Sequence, residues 1–266
     1  MLRLIFNPKK AERHPMEVFF LAIVYSSFSI LFALWIFPSY ASIAMIFLTV
    51  FSCLYLIQRA INIEEKKEAN KPEKSLLKEH SKLISLLFFL FLGFTVSFTL
   101  WSFLLPVEKA SSLFSFQETT VQGIRAAIVG SFSSSSTFMA ILFNNLKVLL
   151  ISLIFAVFYG AGAMYVLVWN ASVMGFVIGN LARNTLGISA LPISFAKYFI
   201  HGIPEMLAYL VTALAGGLIY SAIWRGNLKT EEKKKKLMID VLILVAASIF
   251  ILIIAGLIEI YISPYI

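Results

Sequence analysis

His201 and Glu205 stand four residues apart in the stretch His-Gly-Ile-Pro-Glu, within a long apolar part of a 266-residue chain. That spacing puts both side chains on one face of a helix. Pro204 between them removes a backbone donor and kinks the helix or starts it anew. An ionisable pair in apolar surroundings has three chemical readings. It can be a His–Glu hydrogen bond that locks two helices, a proton-sensing or substrate-binding pair, or part of a metal site. A zinc site needs three or four protein ligands. The other histidines, His14 and His80, fall in charged segments on the opposite side of the topology derived below. Glu108, Glu118 and Glu259 are the acids on the same side as the pair. No metal site, no cofactor and no catalytic residue is assigned.

Other reactive constellations are missing. The chain has neither a G-x-x-x-x-G-K-[ST] loop nor a G-x-S-x-G elbow. The serines at 133–136 could be imagined as partners of His201, but no spacing supports a dyad. The one cysteine, Cys53, sits in an apolar run and reads as a small buried hydrophobe. The expectation is therefore a protein that is not an enzyme.

The elements that must carry these residues are membrane helices. Hydrophobic residues are 60% of the chain and charged ones 14%, against about 45–50% and about 25% in soluble domains. The net charge is +8, but the basic residues lie between apolar runs, where topology signals belong. No nucleic-acid module accompanies them, so nucleic-acid binding is not expected.

The apolar runs are Val18–Phe37, Ala41–Ile57, Leu83–Leu105, Val148–Trp169, a long one from Ile193 to Trp224, and Leu237–Ile258. The link Pro38-Ser39-Tyr40 makes the first two a hairpin, and the first is too long for a signal-peptide core. Lys and Arg concentrate before residue 14, in 59–82 and in 225–236, which together hold 17 of the 22 basic residues. Cytoplasmic loops carry that excess, so all three segments are expected on the cytoplasmic side. An even number of crossings must then separate 59–82 from 225–236. Only three long runs lie between them, so a fourth is required. The short, polar-ended piece 171–190, with Asn180, Arg183 and Asn184, is the candidate. The expectation is an all-α polytopic protein of the cell membrane. It has about seven spans, N-terminus cytoplasmic and C-terminus external. Its units are an amphipathic segment and hairpin over 1–58, a charged loop over 59–82, and a five-helix domain over 83–266. The loop 107–146 holds an amphipathic helix near Thr119–Val129, suited to a headgroup layer.

Ionisable and amide side chains in spans are costly and point to function. Asn144 and Asn145 precede the fourth run, and Asn170 marks the turn after it. His201 and Glu205 begin the sixth helix. On this topology their partners are Asn144, Asn145, Asn180 and Asn184, with Arg183 as counter-ion for Glu205, and Asn170 lies far from His201. Gly175-x-x-x-Gly179, Gly202 and the pair Gly216-Gly217 are candidates for close helix packing.

At these residues the chain resembles the stage II sporulation protein M family, including archaeal and bacterial relatives outside spore formers. The match covers roughly 83–262 and rests on Asn144-Asn145, Asn170 with Gly175, and His201-Gly-Ile-Pro-Glu205 leading to Gly216-Gly217. The hairpin 18–57 departs from shorter members. The resemblance implies a five-helix membrane core and a scaffold for envelope-remodelling proteins. The expectation is a non-enzymatic scaffold or assembly factor with the bilayer and other proteins as partners, a homo-oligomer among them. The alternative is a transporter of a small solute or lipid through the His201/Glu205 cluster. A water-accessible polar cavity reaching the midplane favours transport, and a packed interior favours the scaffold.

Overall fold

A computed structural model describes residues 14–68, 81–129, 134–159, 163–185, 187–224 and 230–263. The segment before residue 14, residues 69–80 of the basic loop 59–82, Ser133, and the first part of 225–236 lie outside the described residues. Among the described residues nine α-helices follow in order: α1 Pro15–Ile36, α2 Ala41–Glu68, α3 Ser81–Leu104, α4 Val107–Leu113, α5 Ser115–Val129, α6 Ser134–Tyr159, α7 Ala163–Asn184, α8 Leu191–Trp224 and α9 Glu231–Tyr261. Short 3-10 turns, Pro38–Tyr40 and Gly187–Ala190, join α1 to α2 and lead into α8. All but α4 and α5 are long and apolar enough to cross a membrane, which makes seven. No strand occurs among the described residues. Helices alone are the open-chain way to satisfy every backbone group in lipid.

The fifth span differs from expectation. It is not the short piece 171–190 but a full 22-residue helix, α7, that begins at Ala163. The fourth span is correspondingly earlier, α6 from Ser134 to Tyr159, rather than Val148–Trp169. Asn144 and Asn145 therefore lie inside α6, and Asn170 inside α7 rather than at a turn. The segment 187–190 belongs to the approach to α8. His201–Glu205 neither interrupts nor begins a helix, because α8 is continuous for 34 residues with Pro204 inside it.

Cross-links between helices fix their directions. A Cβ added at Gly175 would meet Phe98 and Thr99, and one at Gly179 would meet Ser102, so α3 and α7 run parallel. A Cβ added at Gly93 would meet Phe19 and Ala22, and four residues on, Ser97 Oγ lies 3.2 Å from Ser27 Oγ, so α1 also runs parallel to α3. Ser152 Oγ donates to the Tyr209 carbonyl at 3.3 Å, and a Cβ at Gly216 would meet Ala156, so α6 and α8 run parallel. The His201 Nδ1–Ser263 Oγ contact, 2.9 Å, sets α9 antiparallel to α8. Consecutive long helices thus alternate. Leu105, Arg183, Gly187 and Ser263 mark one end of the bundle, termed the upper end here.

The core is aromatic and aliphatic around α3. Phe91, Phe94, Phe98 and Phe114 are fully buried. Phe114, between α4 and α5, packs edge-on to Phe98 and stacks on Phe176 of α7. It anchors the short helices to the bundle. Outward faces carry large apolar side chains such as Trp35, 77% exposed, and Phe51, 75% exposed. Such faces suit lipid contact.

Candidate functional site

A cavity of about 820 Å³ opens among α5, α6, α7, α8 and α9. Its polar lining is Thr120, Asn144, Asn145, Lys147, Asn170, Tyr198, His201, Glu205, Tyr209 and Glu259. Apolar residues such as Ile141, Val173 and Met206 complete the wall. Glu259 lies two residues before the end of α9. Asn170 lies 14 residues below the end of α7, about 21 Å at the helical rise. The cavity therefore runs from the upper end past the midpoint of α7.

A hydrogen-bond chain fixes its central wall. Tyr209 Oη donates to Asn145 Oδ1 at 3.0 Å, and Asn145 Nδ2 donates to Glu205 Oε1 at 2.5 Å. Tyr209 and Glu205 sit one turn apart on α8, facing Asn145 of α6. Each member orients the next, so Glu205 is held as the terminal acceptor. A Tyr209→Phe variant should lose about 1 kcal/mol of stability, the usual net value of one hydrogen bond. Thermal denaturation in detergent reads that loss, and a change below about 0.3 kcal/mol would mean that the chain does not hold the wall.

The remaining predicted residues divide. His201 lines the same cavity but bonds Ser263 rather than Glu205, so the two are not locked to each other. Asn144 lines the cavity. Asn170, expected far from His201, lines it too, with its Nδ2 donating to the Val166 carbonyl at 2.7 Å. The reason is the earlier start of α7, which moves Asn170 from a loop into the bundle. Asn180 and Asn184 are not partners of Glu205. They bond each other at 3.0 Å and line a second cavity of about 240 Å³ with Glu118 and Gln122.

Arg183 is no counter-ion for Glu205. Its Nη2 donates to the carbonyls of Ser102, Phe103 at 2.9 Å and Leu105 at 2.6 Å. Ser102 and Phe103 lie in the last turn of α3, whose carbonyls have no partner within the helix, and Leu105 follows it; a cation there also complements the helix dipole. An Arg183→Met variant should lower stability by about 2 kcal/mol, since charged hydrogen bonds are lost and carbonyls are left open. Arg183→Lys should recover only part, because an ammonium lacks the planar fork. Equal stability of all three proteins would contradict the clamp.

The glycines also divide. Gly175, Gly179 and Gly216 meet neighbouring backbone and Cβ atoms at 2.6–3.1 Å from an added Cβ. Gly202 would meet only the flexible end of Met174, and Gly217 meets nothing within 4 Å. These last two are not close-packing positions.

Sequence reasoning missed two participants. Tyr209 looked like an ordinary aromatic in an apolar run, although it stands one turn beyond Glu205. Gln117, fully buried, accepts from Ser42 Oγ at 2.8 Å and donates to Ser172 Oγ at 3.0 Å, tying α2, α5 and α7 together. Glu259 was named only as an acid on the right side. The fold brings it into the cavity.

The profile of the family described as stage II sporulation protein M matches residues 85–264. The chain belongs to the stage II sporulation protein M family. The matched region begins within α3 and contains every cavity-lining residue. An uncharacterized protein of Methanocaldococcus jannaschii is 33% identical over 132 residues, 48% of this chain and 71% of that protein. No solved structure matches the chain.

Proposed function

We propose that this family member is a multi-pass protein of the cell membrane that takes a small solute into the α5–α9 cavity and moves it across the bilayer. The observation that carries the reading is the polar cavity of about 820 Å³ reaching past the midpoint of α7. Its volume falls in the range of small-molecule sites, roughly 300–1,000 Å³. Intramembrane carboxylates, amides and imidazole are expensive and mark solute pathways. Packing alone would be served better by apolar side chains.

The test is water access. Cys53 is fully buried, and a Cys53→Ala background removes it. Asn170→Cys in that background should react with a membrane-impermeant maleimide added to intact cells. Reaction only after the bilayer is dissolved would defeat the reading. Orientation follows from the distribution of Lys and Arg, which favours a cytoplasmic N-terminus and an external C-terminus. A reporter fused after Ile266 should read external and one inserted near Lys71 cytoplasmic. A cytoplasmic reading at Ile266 would reverse or break this orientation.

The second reading is the scaffold or assembly factor implied by the family resemblance, with other envelope proteins or a second copy as partner. It is supported by family membership alone. Crosslinking in cells separates the two, since a scaffold yields a stoichiometric partner and a solute protein does not require one.

A further inference from the structure

We infer that the solute is an organic cation with an apolar body, its charge held between Glu205 and Glu259. This rests on the solute-binding reading above. The two carboxylates come from different helices, α8 and α9, and line one cavity. Their hydrogen bonding is incomplete. Glu205 receives Asn145 on Oε1. Its other oxygen, and both of those on Glu259, have no donor among the described residues. A carboxylate in such surroundings needs donors or a cation to offset its lost hydration.

A second feature, independent of the acid pair, is the end of α9. Glu259 occupies the last turn of that helix, and no basic residue accompanies it there. The helix carbonyls place partial negative charge at that end, so an acid is disfavoured by the helix itself. The charge and the dipole add, and the upper mouth of the cavity attracts cations.

The other charged groups facing this region do not cancel it. Lys147 lines the cavity from the middle of α6 and pairs with neither carboxylate among the described residues, so its one ammonium offsets at most one of the two acidic charges. The His201 ring is engaged by Ser263. Lys197 precedes His201 by one turn and does not line the cavity. Arg183 is committed to the α3 carbonyls.

Size and wall chemistry then choose among cations. Among the described residues no three His, Cys, Asp or Glu side chains converge to hold a bare metal ion. About 820 Å³ is far more than one ion fills. Apolar side chains share the cavity walls with the polar groups, among them Ile124, Ile141, Val173, Met174 and Met206. A protonated amine on a hydrocarbon or aromatic body satisfies both parts: the ammonium supplies the missing donors, and the body fills the apolar wall.

The experiment uses three probes of matched body, phenethylamine, phenethyl alcohol and phenylacetate, titrated into the full chain in lipid nanodiscs. Phenethylamine should bind about tenfold or more tightly than the alcohol, and phenylacetate more weakly than either. In Glu259→Gln and in Glu205→Gln the preference for the amine should collapse while alcohol binding persists. Alcohol binding in the variants also shows that they remain folded. Equal affinity for amine and alcohol, or a preference that survives both substitutions together, overturns the inference. If none of the three probes binds yet Asn170→Cys is labelled from water, the cation inference falls and the cavity reading stands. If Asn170→Cys is also unlabelled, the solute reading falls with it.

Discussion

The Gly175→Leu and Gly179→Leu variants should fail to seat α7 on α3, each costing about 3 kcal/mol or more. At Gly175 even a bare Cβ would sit 2.6 Å from Phe98 Cβ and 2.9 Å from the Thr99 nitrogen. At Gly179 it would sit 2.7 Å from both Ser102 Cβ and the Thr99 carbonyl oxygen. These obstacles are backbone and Cβ atoms, which cannot rotate aside. The helices must separate, and that loses the dispersion contacts of the seam and moves Arg183 away from the α3 carbonyls. In lipid there is no hydrophobic drive to restore the pair, because lipid chains solvate the exposed faces. Gly217 supplies the control. An added Cβ there meets nothing within 4 Å, so Gly217→Ala should stabilise by about 0.5–1 kcal/mol through helix propensity. Size-exclusion profiles and melting curves of the purified variants check both signs. A monodisperse Gly175→Leu protein melting with the wild type would show that α3 and α7 are not in close contact.

Fold class was legible because it depends on composition and charge. Seven apolar helices and an even count between two basic segments need no contact information. Boundaries were harder. The stretch from Val148 to Trp169 is apolar throughout, so hydropathy reads one span where two helices meet. Gly160-Ala161-Gly162, between α6 and α7, was the available signal. That single shift also misplaced Asn144, Asn145 and Asn170 at the edges of spans. Pro204 was overweighted. It removes the donor to the Ile200 carbonyl, yet in a bundle neighbouring helices tolerate the loss, and α8 continues. Arg183 could be placed near the upper end from sequence, but not its partner. A guanidinium at a helix end has carbonyls of any adjacent helix to choose from. Glu259, Tyr209 and Asn145 meet only through tertiary packing of α6, α8 and α9, which no spacing along the chain encodes.

Glu205→Gln should sharply reduce handling of a cationic solute while leaving the fold intact, and Glu205→Leu should damage both. Glutamine keeps an oxygen that can accept from Asn145 Nδ2, so the Tyr209–Asn145 chain retains its end point. The stability change should stay below about 1 kcal/mol. Leucine leaves that amide donor buried without an acceptor, and Tyr209 then loses the orientation of its own partner. The loss should be about 1–3 kcal/mol. The charge is the difference that matters for function. Losing one of two carboxylates facing a bound cation should reduce uptake of phenethylamine into proteoliposomes by about 100-fold, equivalent to about 2.7 kcal/mol. Melting curves and uptake must be read on the same preparations. Full uptake by a stably folded Glu205→Gln protein would assign Glu205 to structure alone. Loss of folding in Glu205→Gln to the same degree as in Glu205→Leu would mean that the carboxylate charge, not its hydrogen bond, holds α6 against α8.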